Sequence, residues 1–100
     1  MLQEEIAKIA ALLEGDTFLE IQCPGYIYFF NLDTMARVTS AASVTQSRGV
    51  SVLNFMVETC DESVQASLPI KGKILKSESN DNMSVIDAEI FAREAYKFSK

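Results

Sequence analysis

Any catalysis by this chain would have to proceed without histidine, because none of its 100 residues is one. That removes the commonest general base near neutral pH and the commonest transition-metal ligand. Serine with lysine, or a pair of carboxylates, remains for proton transfer or nucleophilic attack, and no spacing here brings such a pair together. Phosphate-cradling loops of the GxGxxG or GxxxxGK[ST] type do not occur. Neither does the GxSxG nucleophile elbow or the EF-hand spacing. The expectation is a protein that is not an enzyme and takes no cofactor or metal.

Five groups of residues nevertheless have the types from which a site is made. Glu58, Asp61 and Glu62 surround Cys60 and could offer oxygen ligands to a divalent cation, although a solvated turn accounts for them as well. Lys71, Lys73 and Lys76 could contact phosphates. On a sheet edge, the same lysines would discourage edge-to-edge aggregation with no ligand at all. Asn54 interrupts an apolar run between Leu53 and Phe55, so its amide needs partners, whether in a pocket, at a symmetric interface or within the sheet. Tyr26, Tyr28 and Phe30 share one face of a strand, and such a stripe is either core or a contact surface with one wet end. Ile86 and Ile90 stand one helical turn apart among Arg93, Glu94 and Lys97, as isolated surface residues or as a docking stripe.

Two amphipathic helices and a set of strands must position these groups. Leu2, Ile6, Ile9 and Leu13 recur at helical spacing, and Gly15 offers a left-handed stop, which predicts a helix over 2–14. Alternation then predicts a strand over Thr17–Cys23, followed by Pro24-Gly25 and the apolar run Tyr26–Phe30. Pro-Gly favours a type II turn, whose twist suits a tight hairpin poorly, so a two-residue hairpin and a wider loop both stand. Asn31–Thr34 reads as a turn. Val38, Ala42 and Val44 alternate with Thr39, Ala41, Ser43 and Thr45 in a weak, polar-faced strand. Ser47-Arg48-Gly49 signals another turn. The strongest strand is Val50–Glu58, with Val50, Val52 and Met56 on one face and Leu53, Phe55 and Val57 on the other. Val64–Ile70 and Lys73–Ser77 complete the strands, Pro69 favouring an edge.

Ser84 is a candidate N-cap, with Asp87 three residues on, and Asp87 and Glu89 precede Lys97 and Lys100 as the helix dipole prefers. Val85, Ala88, Phe91, Ala92, Ala95 and Phe98 form one apolar face of a second helix over 84–98. The fold class that follows is α+β: an N-terminal helix, a mainly antiparallel sheet of about four to six strands, and a C-terminal helix packed on the sheet. One domain accounts for residues 1–100.

The chain carries a net charge of −5, with Glu4, Glu5, Glu14, Asp16, Glu20 and Asp33 against Lys8 alone in the first 35 residues. That speaks against nucleic acid or an anionic membrane as partner and allows a basic protein surface. Met1 is followed by Gln3, Glu4 and Glu5, where a secretory leader would carry bases. Tyr26–Phe30, among the longest wholly apolar runs, is too short to span a bilayer. The cytoplasm is therefore the expected location, and free thiols at Cys23 and Cys60 the expected state.

Tyr26–Phe30 and Val50–Val57 are apolar on both sides, more than a sheet with one solvated face requires. Surplus apolar surface without catalytic groups points first to a small acidic interaction module, homodimeric, acting as adaptor, chaperone or inhibitor of another protein. A sensor domain, with the aromatic strand and Asn54 lining an apolar pocket, is the alternative. A histidine-free enzyme comes third. Tyr26, Tyr28, Phe30, Asn54, Ile86 and Ile90 are the residues expected to form the interaction surface.

Overall fold

A computed structural model describes residues 2–39 and 42–99. Met1, Ser40, Ala41 and Lys100 lie outside the described residues, among them the Ala41 position of the polar-faced strand and the Lys100 charge of the second helix. The element order is α1 (Leu2–Leu12), β1 (Thr17–Cys23), β2 (Tyr26–Asn31), β3 (Ala36–Thr39), β4 (Ala42–Ser47), β5 (Val50–Glu58), β6 (Ser63–Ile70), β7 (Lys73–Glu78) and α2 (Val85–Ser99). The α+β class and the two terminal helices are as the periodicity predicts. The strands, however, divide between two sheets, with orders β3-β2-β1-β7 and β4-β5-β6.

Neighbouring strands are antiparallel except β1 and β7, which run parallel with Thr17 opposite Lys73 and Gln22 opposite Glu78. The single weak strand expected around Val38–Thr45 is two elements: β3 closes the first sheet and β4 opens the second. Between β1 and β2 the hairpin is tight, since Cys23 pairs with Tyr26 across Pro24-Gly25. Gly25 has φ +83°, the conformation that the third position of a type II turn requires.

Two apolar clusters explain why Tyr26–Phe30 is greasy on both sides, whereas on β5 only the Leu53, Phe55 and Val57 face is covered and Val50 and Met56 stay exposed. Phe18 and Phe29 face the second sheet, stacked with ring centroids 5.6 Å apart. There they meet Leu53, Phe55 and Val57 of β5, and α1 through Leu2, Ile6, Ile9 and Leu12. Leu19, Ile21, Cys23, Tyr28 and Phe30 face the other way and lie under α2, against Ala88 and Ala92. The first sheet is thus covered on both faces by its own chain. Its double-sided apolar pattern is internal packing and needs no second molecule.

Asn31 ties the first helix to the sheet. Its side chain is fully buried, and its Nδ2 donates to Leu12 O at 2.9 Å and Glu14 O at 3.0 Å, carbonyls left open where α1 ends. Its Oδ1 accepts from Asp33 N at 2.9 Å, while Asp33 Oδ2 accepts from Asp16 N at 2.6 Å. This explains why α1 stops at Leu12 rather than 14. Gly15 acts here through space and not through a left-handed backbone: a Cβ on it would stand 2.9 Å from Asn31 Nδ2, Asn31 Oδ1 and Asp33 Oδ2.

Candidate functional site

The second helix starts as its cap residues dictate. Ser84 Oγ accepts from Asp87 N at 3.1 Å, and Ser84 O from Ala88 N at 2.9 Å. Two tyrosines hold the segment before it. Tyr28 OH donates to Met83 O at 2.7 Å, while Tyr26 OH accepts from Met83 N at 2.8 Å and lies 3.1 Å from Met83 O. The two rings meet edge to face at 5.4 Å. Burial under α2 pushes the Tyr28 phenol above its ordinary pKa, and Tyr26 and Cys23 add to the effect.

What α2 lays on the sheet is narrow. Ala88 and Ala92 are fully buried, with Ala95 and Tyr96 beside them. Small side chains let the helix sit close to the strands, and close approach leaves no room beneath it for larger groups. Phe91 and Phe98, expected in the core face, are therefore on the flank, 39% and 88% exposed. On the side away from the sheet, Ile86 and Ile90 are 70% and 51% exposed.

The phenylalanine flank overhangs the edge of the first sheet. Phe91, Ala95 and Phe98 form one wall of a groove of about 620 Å³ whose floor and far side are Leu19, Leu75, Lys73, Lys76 and Ser77. No described strand pairs with the outer edge of β7. Lys73 and Lys76 lie on that edge strand, and Lys71 lies in the connection before it, which agrees with the edge reading of the three lysines.

The six residues expected to share one surface are not brought together. Tyr28 and Phe30 are buried beneath α2, Tyr26 half-buried, so the aromatic stripe belongs to the inner cluster. Asn54 faces outward from the second sheet, where its Nδ2 donates to Thr45 Oγ1 at 3.0 Å and its Oδ1 accepts from Ser67 Oγ at 2.6 Å. That trio joins β4, β5 and β6 and satisfies the amide within the sheet. Tyr26 and Asn54 border one open depression of about 360 Å³, which Tyr28 and Phe30 do not reach. Of the aromatic strand only Tyr26 reaches that depression beside Asn54, because Tyr28 and Phe30 are turned under α2. Ile86 and Ile90 alone of the six form an exposed apolar pair.

The acidic turn is closed by Thr59. Its N–H donates to Glu62 O at 2.8 Å, and its Oγ1 accepts from Glu62 N at 3.2 Å, leaving Asp61 and Glu62 exposed. Glu20 is a group that the sequence did not single out. It is 6% exposed on β1, opposite Phe29 on one side and Lys76 on the other, and its Oε1 has no hydrogen-bond partner among the described residues. Desolvation raises its pKa above the ordinary value, and the nearby Lys76 ammonium offsets part of that rise. Cys23 is buried and Cys60 exposed, both as free thiols.

No described helix is long and apolar enough to cross a membrane. Compared with family models, curated proteins and solved structures, the chain matches none.

Proposed function

We propose that this chain is a non-catalytic protein-interaction module of the cytoplasm that works as a homodimer joined through the outer face of α2. The observation that carries the reading is the exposed pair Ile86 and Ile90 on a helix whose inner contact is already complete. Asp87 and Glu89 stand on either side of the isoleucines' centre at Ala88, and Arg93, Glu94 and Lys97 follow Ile90, Lys97 lying 3.6 Å from Glu94 of the same helix. In an antiparallel pair the helix dipoles of the two copies oppose.

The strength of such a contact is bounded by the area it covers. Fully burying an isoleucine is worth about 1.5–3 kcal/mol. Scaled by the exposed fractions of both residues in both copies, the apolar gain is roughly 4–7 kcal/mol. That is comparable with the lower estimates of the association cost, so the dimer is weak and concentration-dependent. The two free thiols suit a reducing compartment.

Sedimentation equilibrium from about 0.1 to a few millimolar reaches the affinities that this balance allows. The wild-type mass should rise across that range, and the double variant Ile86→Glu with Ile90→Glu should stay monomeric with an unchanged circular dichroism spectrum. A variant whose mass follows the wild type would remove this face from consideration.

A further inference from the structure

We propose that the groove between α2 and β7 binds a straight-chain alkyl carboxylate, with its tail beneath Phe91 and Phe98 and its headgroup at Lys73. The inference goes beyond the interaction module and does not depend on it, since Ile86 and Ile90 do not line this groove.

The apolar part of the site comes from both elements. Phe91 and Phe98 are exposed on the flank of α2, and Ala95 between them is too small to fill the space below. Leu19 and Leu75 are partners in the parallel pairing of β1 with β7 and lie side by side in the floor. The volume of about 620 Å³ is that of a small-molecule site, apolar for the most part with a few polar groups at its margin. An aliphatic chain laid there takes the two phenyl rings and Leu75 out of water.

Strand register fixes how polarity runs along the floor. The period of two puts Lys73, Leu75 and Ser77 on the α2 face of β7, opposite Thr17, Leu19 and Ile21 of β1. One end of the floor is therefore Lys73 with Thr17, the middle is leucine, and Ser77 follows. From Lys73 to Ser77 is about 13 Å at the rise of a strand, room for an extended chain of roughly eight to ten carbons.

The charges at the groove select the headgroup. No carboxylate lines it. Glu94, on the same flank of α2, lies 3.6 Å from Lys97. Lys76 borders the groove from the opposite face of β7, where its ammonium already offsets the buried Glu20 carboxylate. Lys73 is the cation on the groove's own face, and it has no ion-pair partner among the described residues. A neutral chain gains only the apolar contact, and an alkylammonium is repelled. A carboxylate gains the apolar contact together with charge-assisted bonds from the Lys73 ammonium and the Thr17 hydroxyl beside it.

The test titrates the full chain with octanoate, octan-1-ol and octylammonium, three ligands of one chain length, and reads amide shifts by NMR. Octanoate should bind most tightly and move the signals of Thr17, Leu75 and Ala95. Octan-1-ol should need about fivefold more ligand, and octylammonium more still. Lys73→Gln should erase the advantage of octanoate over the alcohol and leave the affinity for the alcohol unchanged. Phe98→Ser, at a position too exposed to matter for folding, should weaken all three. Equal affinity for the three ligands, an octanoate preference that survives Lys73→Gln, or no shift at these residues with about 10 millimolar octanoate overturns the proposal. The variant Ile86→Glu with Ile90→Glu should bind octanoate as the wild type does. Loss of the dimer in that variant therefore leaves this site standing, and failure to bind octanoate leaves the dimer standing.

Discussion

Replacing Asn31 by leucine keeps nearly the same volume and removes every hydrogen bond its amide makes. Three are lost: those to Leu12 O, to Glu14 O and from Asp33 N. Each is worth about 0.5–1.5 kcal/mol net, and the abandoned groups lie at a buried junction where water replaces them poorly. The expected loss is therefore about 2–4 kcal/mol, a large part of the roughly 5–15 kcal/mol that stabilises an ordinary domain. At about 4–8 °C per kcal/mol for a chain of this length, the melting temperature should fall by at least roughly 8 °C. Urea unfolding followed by circular dichroism measures the free energy. Hydrogen exchange locates it, because the amides at the end of α1 should lose protection before those of β5. A loss below about 1 kcal/mol, with the α1 amides unmoved, would refute the claim that this amide anchors the helix.

Two further substitutions test other parts of the fold. Glu20 has its pKa raised by desolvation, so it stabilises the folded state least when ionised: stability should be greatest below the ordinary glutamate range and decline as pH rises through the folded value. Glu20→Gln should flatten that decline and raise stability at neutral pH; a pH profile of urea midpoints unchanged from wild type would contradict the burial argument. Arg48 has φ +54° beside Gly49 at +81° in the two-residue turn between β4 and β5, a type I′ geometry that disfavours arginine. Arg48→Asn should add about 0.5–1 kcal/mol, and a lowered melting temperature would show that the turn is not strained at this position.

Local pattern made part of this molecule legible. Thr17–Cys23 is the strand its pattern suggests, and its β2 neighbour follows at once in sequence, although its parallel neighbour β7 lies far along the chain. Ser84 and Asp87 mark the start of α2 with side chains that bond as their types suggest. The division into two sheets was not legible. Val38 and Val44 carry the same local pattern, yet β3 pairs with β2 and β4 with β5, a choice made by distant partners. Tyr26–Phe30 showed correctly that both faces are dry. It could not show that α2 and the second sheet, both from the same chain, do the covering.

The candidate site was read least well, and for a definite reason. Phe91 and Phe98 share a helical face with Ala88 and Ala95, and periodicity alone assigns all four to the core. The alanines set how closely the helix approaches, and at that distance the phenylalanines no longer fit beneath it. A warning was present in the sequence, since an apolar face that mixes alanine with phenylalanine cannot keep one distance from a flat sheet. Asn31 gave no such sign, because a turn of Asn-Leu-Asp is unremarkable until α1 is placed beside it.

The claim that the outward isoleucines of α2 meet their counterparts on a second copy is tested most directly by static light scattering of the unmodified chain. At roughly millimolar concentration, where so weak a dimer begins to form, the measured mass should rise above the 11.1 kDa of one chain toward twice that value. A mass that stays at 11.1 kDa across the accessible concentrations would contradict it.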